Sequence, residues 1–167
     1  MSSKRATVYF VMGVSGCGKS TVGSLLAREL SVPFFDGDDY HPPSNIHKMS
    51  SGLPLNDQDR KGWLKSLNAL ASENVEKGAV IVCSALKADY REILSKAIKD
   101  KVDWVLLDGS FEEISARLNK RKGHFMPASL LRSQFETLEK PQKGIIVSIT
   151  ATPADIVKKI MNIIEAK

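Results

Sequence analysis

Residues 7–30 read Thr7-Val8-Tyr9-Phe10-Val11-Met12-Gly13-Val14-Ser15-Gly16-Cys17-Gly18-Lys19-Ser20-Thr21-Val22-Gly23-Ser24-Leu25-Leu26-Ala27-Arg28-Glu29-Leu30, and this stretch decides the fold. It opens with an unbroken apolar run, as expected of a strand buried on both faces. It closes with Val22, Leu25, Leu26 and Leu30 at helical spacing. Between them, Gly13 to Ser20 fits G-x-x-x-x-G-K-[ST] in full. Each position has a physical reason. Glycines let the backbone turn left-handed and approach a phosphate closely. The loop N–H groups then form an anion nest, and the following helix adds its positive N-terminal end. Lys19 reaches toward the outer phosphates and the Ser20 hydroxyl ligates Mg²⁺. Gly13, Val14, Ser15, Gly16, Cys17, Gly18, Lys19, Ser20 and Thr21 are therefore the expected ATP-binding segment, with ATP and Mg²⁺ the expected cofactors. Cys17 lies near the helix start, where a thiol can turn reactive; a tolerated small residue is the simpler expectation.

Outward from this loop, strand-like and helix-like segments alternate. Further strands are expected at Val32 to Phe35, Ala79 to Cys83, Val102 to Leu107 and Ile145 to Ile149. Helices are expected over Asp57 to Lys77, Asp89 to Lys99, a segment opened by the Ser110–Glu113 capping box and running to about Lys122, Pro127 to Glu139, and a last one from Thr152. Five buried-type strands separated by helices imply an α/β fold: one five-stranded parallel sheet with helices on both faces. Residues 1–167 read as a single domain. The longest stretch without periodicity is Asp36 to Asn56, and a connection of that length is usually functional.

Composition narrows the function. No apolar run approaches the ~20 residues that cross a bilayer, and the short apolar start runs straight into the glycine-rich loop rather than into a cleavage site. Two cysteines give neither a disulfide framework nor a zinc pattern, and a reducing cytoplasm is expected. The formal charge of +5 permits nucleic acid, small anions or no partner at all. Aromatic residues sit in apolar runs rather than along a basic face, which disfavours nucleic acid. No N-K-x-D guanine motif is present, and motors and helicases need a longer chain. A small kinase acting on a small acceptor remains.

Five further blocks carry a resemblance. They are Asp36-Gly37-Asp38-Asp39-Tyr40-His41-Pro42; Asn45 through Lys48, Pro54, Asp57, Asp59, Arg60 and Trp63; Cys83-Ser84-Ala85-Leu86-Lys87 with Tyr90-Arg91; Arg121-Lys122-Gly123-His124-Phe125; and Gln134-Phe135 with Leu138 and Pro141. Together, in this order, they resemble the gluconate kinases, or gluconokinases, from about Val8 to Pro141. The resemblance implies a nucleoside-monophosphate-kinase-like P-loop fold with a mobile lid, at about 117–139. It also implies ATP-dependent phosphorylation of D-gluconate at O6, cytoplasmic location and a homodimer, with no nucleic-acid or membrane partner.

Chemistry suggests roles within those blocks. Phosphoryl transfer needs positioning, charge neutralisation and an oriented acceptor hydroxyl. Asp38 is expected to orient or deprotonate that hydroxyl; Asp36 works with Ser20 on the metal. Arg60 is the first candidate for the gluconate carboxylate, since a guanidinium forks onto it. His41, Lys87, Arg91, His124 and Gln134 are further substrate-binding candidates. Arg117 is expected against adenine and Arg121 on the moving phosphoryl group, beside the catalytic pair Lys19 and Asp38. The third strand ends Val82-Cys83-Ser84 without a terminal aspartate, so either Asp36 or water completes the Mg²⁺ shell. Trp63 and Trp104 read as core, and His47 and Met49 have no assigned role. Alternatives are a shikimate-type or other small-acceptor kinase, a nucleic-acid 5′-kinase, and a nucleotide-binding module without turnover.

Overall fold

The computed structural model describes residues 6–120 and 128–167. Arg121, His124 and Phe125 of the expected lid lie outside the described residues. The strands β1 (Val8–Met12), β2 (Phe34–Asp36), β3 (Ala79–Val82), β4 (Val102–Asp108) and β5 (Ile145–Ser148) form one sheet in the order β2-β3-β1-β4-β5. Every pairing is parallel. The helices are α1 (Lys19–Leu30), α2 (Pro43–Ser50), α3 (Asp57–Glu73), α4 (Ala88–Leu94), α5 (Phe111–Lys120), α6 (Ala128–Thr137) and α7 (Pro153–Ala166).

Successive residues along the inner strands feed two separate cores. Tyr9, Val11, Val80, Val82, Val105, Leu107, Ile145 and Val147 face one layer with Val22 and Leu26 of α1, Ile114 and Leu118 of α5, Leu131 of α6 and Ile156 and Ile160 of α7. Val8, Phe10, Met12, Ala79, Ile81 and Leu106 face the other, against Trp63, Leu64 and Leu67 of α3 and Tyr90 and Leu94 of α4. This is the strand period of two, and burial on both faces explains why the sequence shows apolar runs rather than alternation. The edge strand β5 differs from the expected pattern: Ile145 and Val147 are buried while Ile146 and Ser148 are exposed.

Local signals place the helix ends. Ser110 and Glu113 exchange reciprocal bonds at the start of α5, Glu113 N–H to Ser110 Oγ at 3.1 Å and Ser110 N–H to Glu113 Oε1 at 3.2 Å. Thr152 Oγ1 accepts from Asp155 N–H at 3.2 Å at the start of α7. A capping box of Asn56 and Asp59 starts α3. Two helices are shorter than expected: α3 ends at Glu73 rather than Lys77, and α4 ends at Leu94, with a separate 3-10 turn over Lys99–Lys101.

The stretch Asp36 to Asn56, expected as irregular, contains a 3-10 turn at Gly37–Tyr40 and the helix α2. Its apolar residues Ile46, Met49 and Leu53 are 52%, 42% and 55% exposed. They form no core face, which is why hydrophobic periodicity gave no helix signal there.

Candidate active site

The phosphate loop leaves the carboxyl end of β1, where ligands sit in open parallel sheets. Gly16 has φ +84°, and a Cβ added there would lie 2.8 Å from Leu118 Cγ, so the loop packs directly on α5. Gly18, at φ 95° and ψ 22°, is the left-handed N-cap of α1, and the first turn of α1 holds no acidic residue. The positive end of α1 is thus left to an external anion. Lys19 curls over the loop and donates from Nζ to the carbonyls of Gly13 at 3.0 Å and Val14 at 3.1 Å. Thr21 is exposed one residue beyond Ser20. Cys17 is 1% exposed and packs beneath Gly13, which fits the simpler expectation of a small buried residue.

Ser20 and Asp36 meet across 16 residues of sequence: Ser20 Oγ donates to Asp36 Oδ2 at 3.2 Å. The other carboxylate oxygen of Asp36 accepts the Asp38 N–H at 3.0 Å and so caps the 3-10 turn. Strand β3 ends without a carboxylate, and β2 supplies one in the adjacent register, Asp36 pairing with Val82. Among the described residues no group of three or more His, Cys, Asp or Glu could hold a metal ion. One carboxylate beside one hydroxyl is a donor set of hard oxygens that suits Mg²⁺, which keeps waters and phosphates as its other ligands.

Asp38 projects into solvent from that turn, its side chain 84% exposed, with His41 Nε2 3.8 Å from its Oδ1. Gly37 allows the close approach: a Cβ there would sit 2.5 Å from the Val82 carbonyl oxygen. Trp63 Nε1 donates to the Gly37 carbonyl at 2.7 Å, pinning the turn to α3. Trp63 is core, as expected, and also the platform of this turn. Cys83 lies below. Its thiol is pushed up to about 12 by burial, against the nearby Lys19 charge and together with Asp38 and Asp36. Those three charged groups therefore converge around the end of β3, and the thiol among them is inert.

Two cations, Arg60 and Lys87, gather around Tyr90. Arg60, on the first turn of α3, donates from Nη1 to Tyr90 Oη at 3.1 Å, and Tyr90 donates in turn to Asp57 Oδ1 at 2.5 Å. Lys87 Nζ is 3.4 Å from the same Asp57 oxygen and 5.4 Å from the Tyr90 ring centroid. Asp57 is held below the usual carboxylate range chiefly by the Tyr90 hydrogen bond, with Lys87 next. Asp59 is held low chiefly by Lys48, whose ammonium is 2.6 Å away. Both carboxylates near Arg60 are thus occupied by other donors. Among the described residues Arg60 has no ion-pair partner within 4.0 Å. Tyr90 and Asn45 stand in the blocks quoted above but carry no role in the sequence reading, and nothing local marks the Tyr90 hydroxyl.

Two of the expected substrate-binding residues have protein partners in the structure. Arg91 is 7% exposed, and its guanidinium donates to the carbonyls of Ala85 and Glu139, both at 2.7 Å. Burial lowers its pKa, with Glu139 opposing. It ties the chain after α6 to the chain after β3. Gln134, on α6, faces the phosphate loop: Ser15 N–H donates to its Oε1 at 2.7 Å, and its Nε2 donates to Ser15 Oγ at 3.1 Å. Its partner in the structure is the loop. Arg117 donates from Nη2 to the Ile149 carbonyl, at the turn after β5.

The chain is similar to known kinases in sequence and in fold. The shikimate kinase family model matches residues 15–165. The thermosensitive gluconokinase of Escherichia coli K12 is 52% identical over 136 residues, covering 80% of this chain and 72% of that protein. The crystal structure of a gluconokinase from Sinorhizobium meliloti superposes with a TM-score of 0.85 at 41% identity, covering 97% of this chain and 94% of the other. A shikimate kinase from Aquifex aeolicus superposes at 0.66 with 26% identity, covering 95% and 96%. With this identity across most of its length and the same fold, the chain belongs to the gluconokinase family, on the P-loop architecture shared with shikimate kinases.

Proposed function

We propose that the protein is a gluconokinase: it transfers the γ-phosphoryl group of ATP to O6 of D-gluconate, giving 6-phospho-D-gluconate and ADP. The observation that carries this reading is the pairing of two anion sites at one end of the sheet. One is the phosphate loop at the N-terminus of α1; the other is Arg60, whose neighbouring carboxylates already have donors. Asp38 links them: its N–H bonds Asp36, which meets Ser20 of the loop, and its carboxylate is 3.8 Å from His41, which Asn45 joins to the Asp59 carbonyl next to Arg60 in sequence.

Each residue then has a task. The loop from Gly13 to Thr21 cradles the triphosphate, and Lys19 follows the outer phosphates. Arg117, at the turn after β5, lies against adenine. Arg60 forks onto the C1 carboxylate of gluconate, with Lys87 and His41 beside it. That leaves the far hydroxyl, O6, at Asp38. Asp38 accepts the O6 proton as the O6–Pγ bond forms and the bond from Pγ to ADP breaks; the proton then leaves to solvent. Ser20 and Asp36 hold Mg²⁺, which neutralises phosphate charge when bound. On the family resemblance, Arg121 and His124 belong to the lid that covers the phosphates and acceptor. The protein works as a cytoplasmic homodimer; no helix among the described residues is long and apolar enough to cross a membrane.

A second reading, a shikimate-type kinase, is favoured by the family-model match and by the superposition on a shikimate kinase at 26% identity. Coupled ADP release with gluconate, shikimate, AMP or no acceptor separates the two. Gluconate-dependent turnover, with phosphate found on O6 by ³¹P NMR, is expected. Preference for shikimate, or ATP hydrolysis indifferent to acceptor, would refute the assignment.

A further inference from the structure

Beneath Asp38 runs a polar chain that phosphoryl transfer does not by itself require. His41 is 9% exposed and lies flat on Trp63, ring centroids 4.2 Å apart and planes 14° apart. Asn45, one helical turn further on, is 2% exposed. Its side-chain nitrogen is 2.9 Å from the backbone carbonyl oxygen of Asp59 and 3.3 Å from His41 Nδ1.

The Asp59 carbonyl can only accept, so the amide of Asn45 must turn its nitrogen, not its oxygen, toward it. The amide nitrogen carries two hydrogens. One serves Asp59, and the other faces Nδ1, which must therefore present a lone pair. In a neutral imidazole the proton then resides on Nε2. That nitrogen is the one 3.8 Å from Asp38 Oδ1. A doubly protonated ring would set Nδ1–H against the Asn45 N–H.

The surroundings favour the neutral ring. Burial acts most strongly against the charge; Asp38 on the preceding turn opposes this, and Arg60 on α3 adds to it. Asp59, on the same helix, is engaged by Lys48 of α2 and by the Asn56 N–H.

We propose that Asn45 is a positioning residue that holds His41 as the neutral Nε2–H tautomer, making the ring a hydrogen-bond donor to an acceptor-substrate oxygen beside Asp38. An Nε2 that already carries its proton cannot take another from the substrate, so the proton-accepting task stays with Asp38. The substrate-facing part of this inference rests on the proposed acceptor site; the tautomer does not.

Long-range ¹H–¹⁵N NMR of the ¹⁵N-labelled full chain tests it. There are three histidines, and His41→Gln assigns the signal. The expected pattern is a protonated Nε2 and a bare Nδ1, still dominant at about pH 6.5, where an ordinary imidazole is half protonated. A proton on Nδ1, or an imidazolium as abundant as the neutral ring at that pH, would overturn the proposal. In Asn45→Ala, His41 is expected to titrate at higher pH than in the wild type, and the gluconate KM to rise as pH falls below about 6.5, with the ATP KM steady. A wild-type spectrum in that variant, or a gluconate KM without the added pH dependence, would equally overturn it. Should Asn45→Ala fail to fold, the wild-type spectrum still decides. The spectrum is recorded without substrate, so absence of gluconate turnover would remove the proposed function and leave the tautomer to stand or fall separately.

Discussion

Replacing Arg60 by alanine isolates the acceptor site from the nucleotide site. In the structure Arg60 donates to Tyr90 Oη at 3.1 Å, while Tyr90 keeps its own bond to Asp57 at 2.5 Å. The substitution therefore leaves no buried donor stranded, and the protein should lose less than about 1 kcal/mol of stability. Tm should fall by no more than about 4 °C. What it removes is the charge for the gluconate carboxylate. Hydrogen bonds to a charged group are worth about 1.5–3 kcal/mol, which corresponds to a gluconate KM raised about 10- to 150-fold. Lys87 lies over the same Tyr90 ring, 5.4 Å from its centroid against 5.5 Å for Arg60, and retains part of the attraction. The lower half of that range is expected. Arg60→Lys keeps the charge without the fork and should fall between the two. Coupled ADP-release kinetics, titrating gluconate at saturating ATP and then ATP at saturating gluconate, give both constants. An ATP KM that rises by the same factor, or a gluconate KM that does not move while Tm holds, would refute the assignment of Arg60 to the carboxylate.

Asp38→Asn should lower kcat by about 10²- to 10⁴-fold, the usual range for a lost general base, with nucleotide affinity measured by calorimetry unchanged; near-native turnover would remove Asp38 from the chemistry. Gln134→Leu breaks both bonds to Ser15 and should raise the ATP KM about 3- to 30-fold, with gluconate KM the less affected constant; the reverse order would return Gln134 to the acceptor site. Arg91→Met strands the Ala85 and Glu139 carbonyls and should cost about 2–4 kcal/mol, seen as a Tm lower by roughly 5–15 °C; a raised gluconate KM at unchanged Tm would contradict its structural role. Stability should fall with pH in two stages. His41 has a pKa lowered by burial, so the unfolded chain binds its proton first, and stability declines below about pH 6.5 with a slope of at most about 1.4 kcal/mol per pH unit. His41→Gln should remove that slope in urea titrations. Asp57 and Asp59, whose pKa values are depressed by Tyr90 and Lys48 respectively, stabilise above their unfolded value and release that contribution only below about pH 4.

Much of this molecule is local, and local features are legible in a sequence. The strand before Gly13, the glycine spacing and the helix after Lys19 fix the phosphate loop, because backbone conformation and helix polarity are set within a few residues. Apolar runs identified all five strands, most plainly β1 and β3, which are buried along their whole length and hold no charged residue. The caps at Ser110 and Thr152 are likewise contacts three residues long. The helix α2 escaped notice because its exposed Ile46, Met49 and Leu53 bury nothing, and helical periodicity is a record of burial.

Tertiary structure alone decided how the polar side chains of the site are shared out. Arg91 and Gln134 are both polar residues in segments near the cleft, and nothing within a few residues of either says which way it turns. Folding gives Arg91 to two carbonyls 48 and 6 residues away and gives Gln134 to Ser15, 119 residues away. Arg60 remains a candidate for substrate because Tyr90 and Lys48 reach its neighbouring carboxylates first. His41 takes its tautomer from an amide oriented by a carbonyl on another helix. A sequence states which donors and acceptors exist. Which of them is left for a ligand depends on partners far along the chain, and only the packed fold brings those partners within hydrogen-bonding distance.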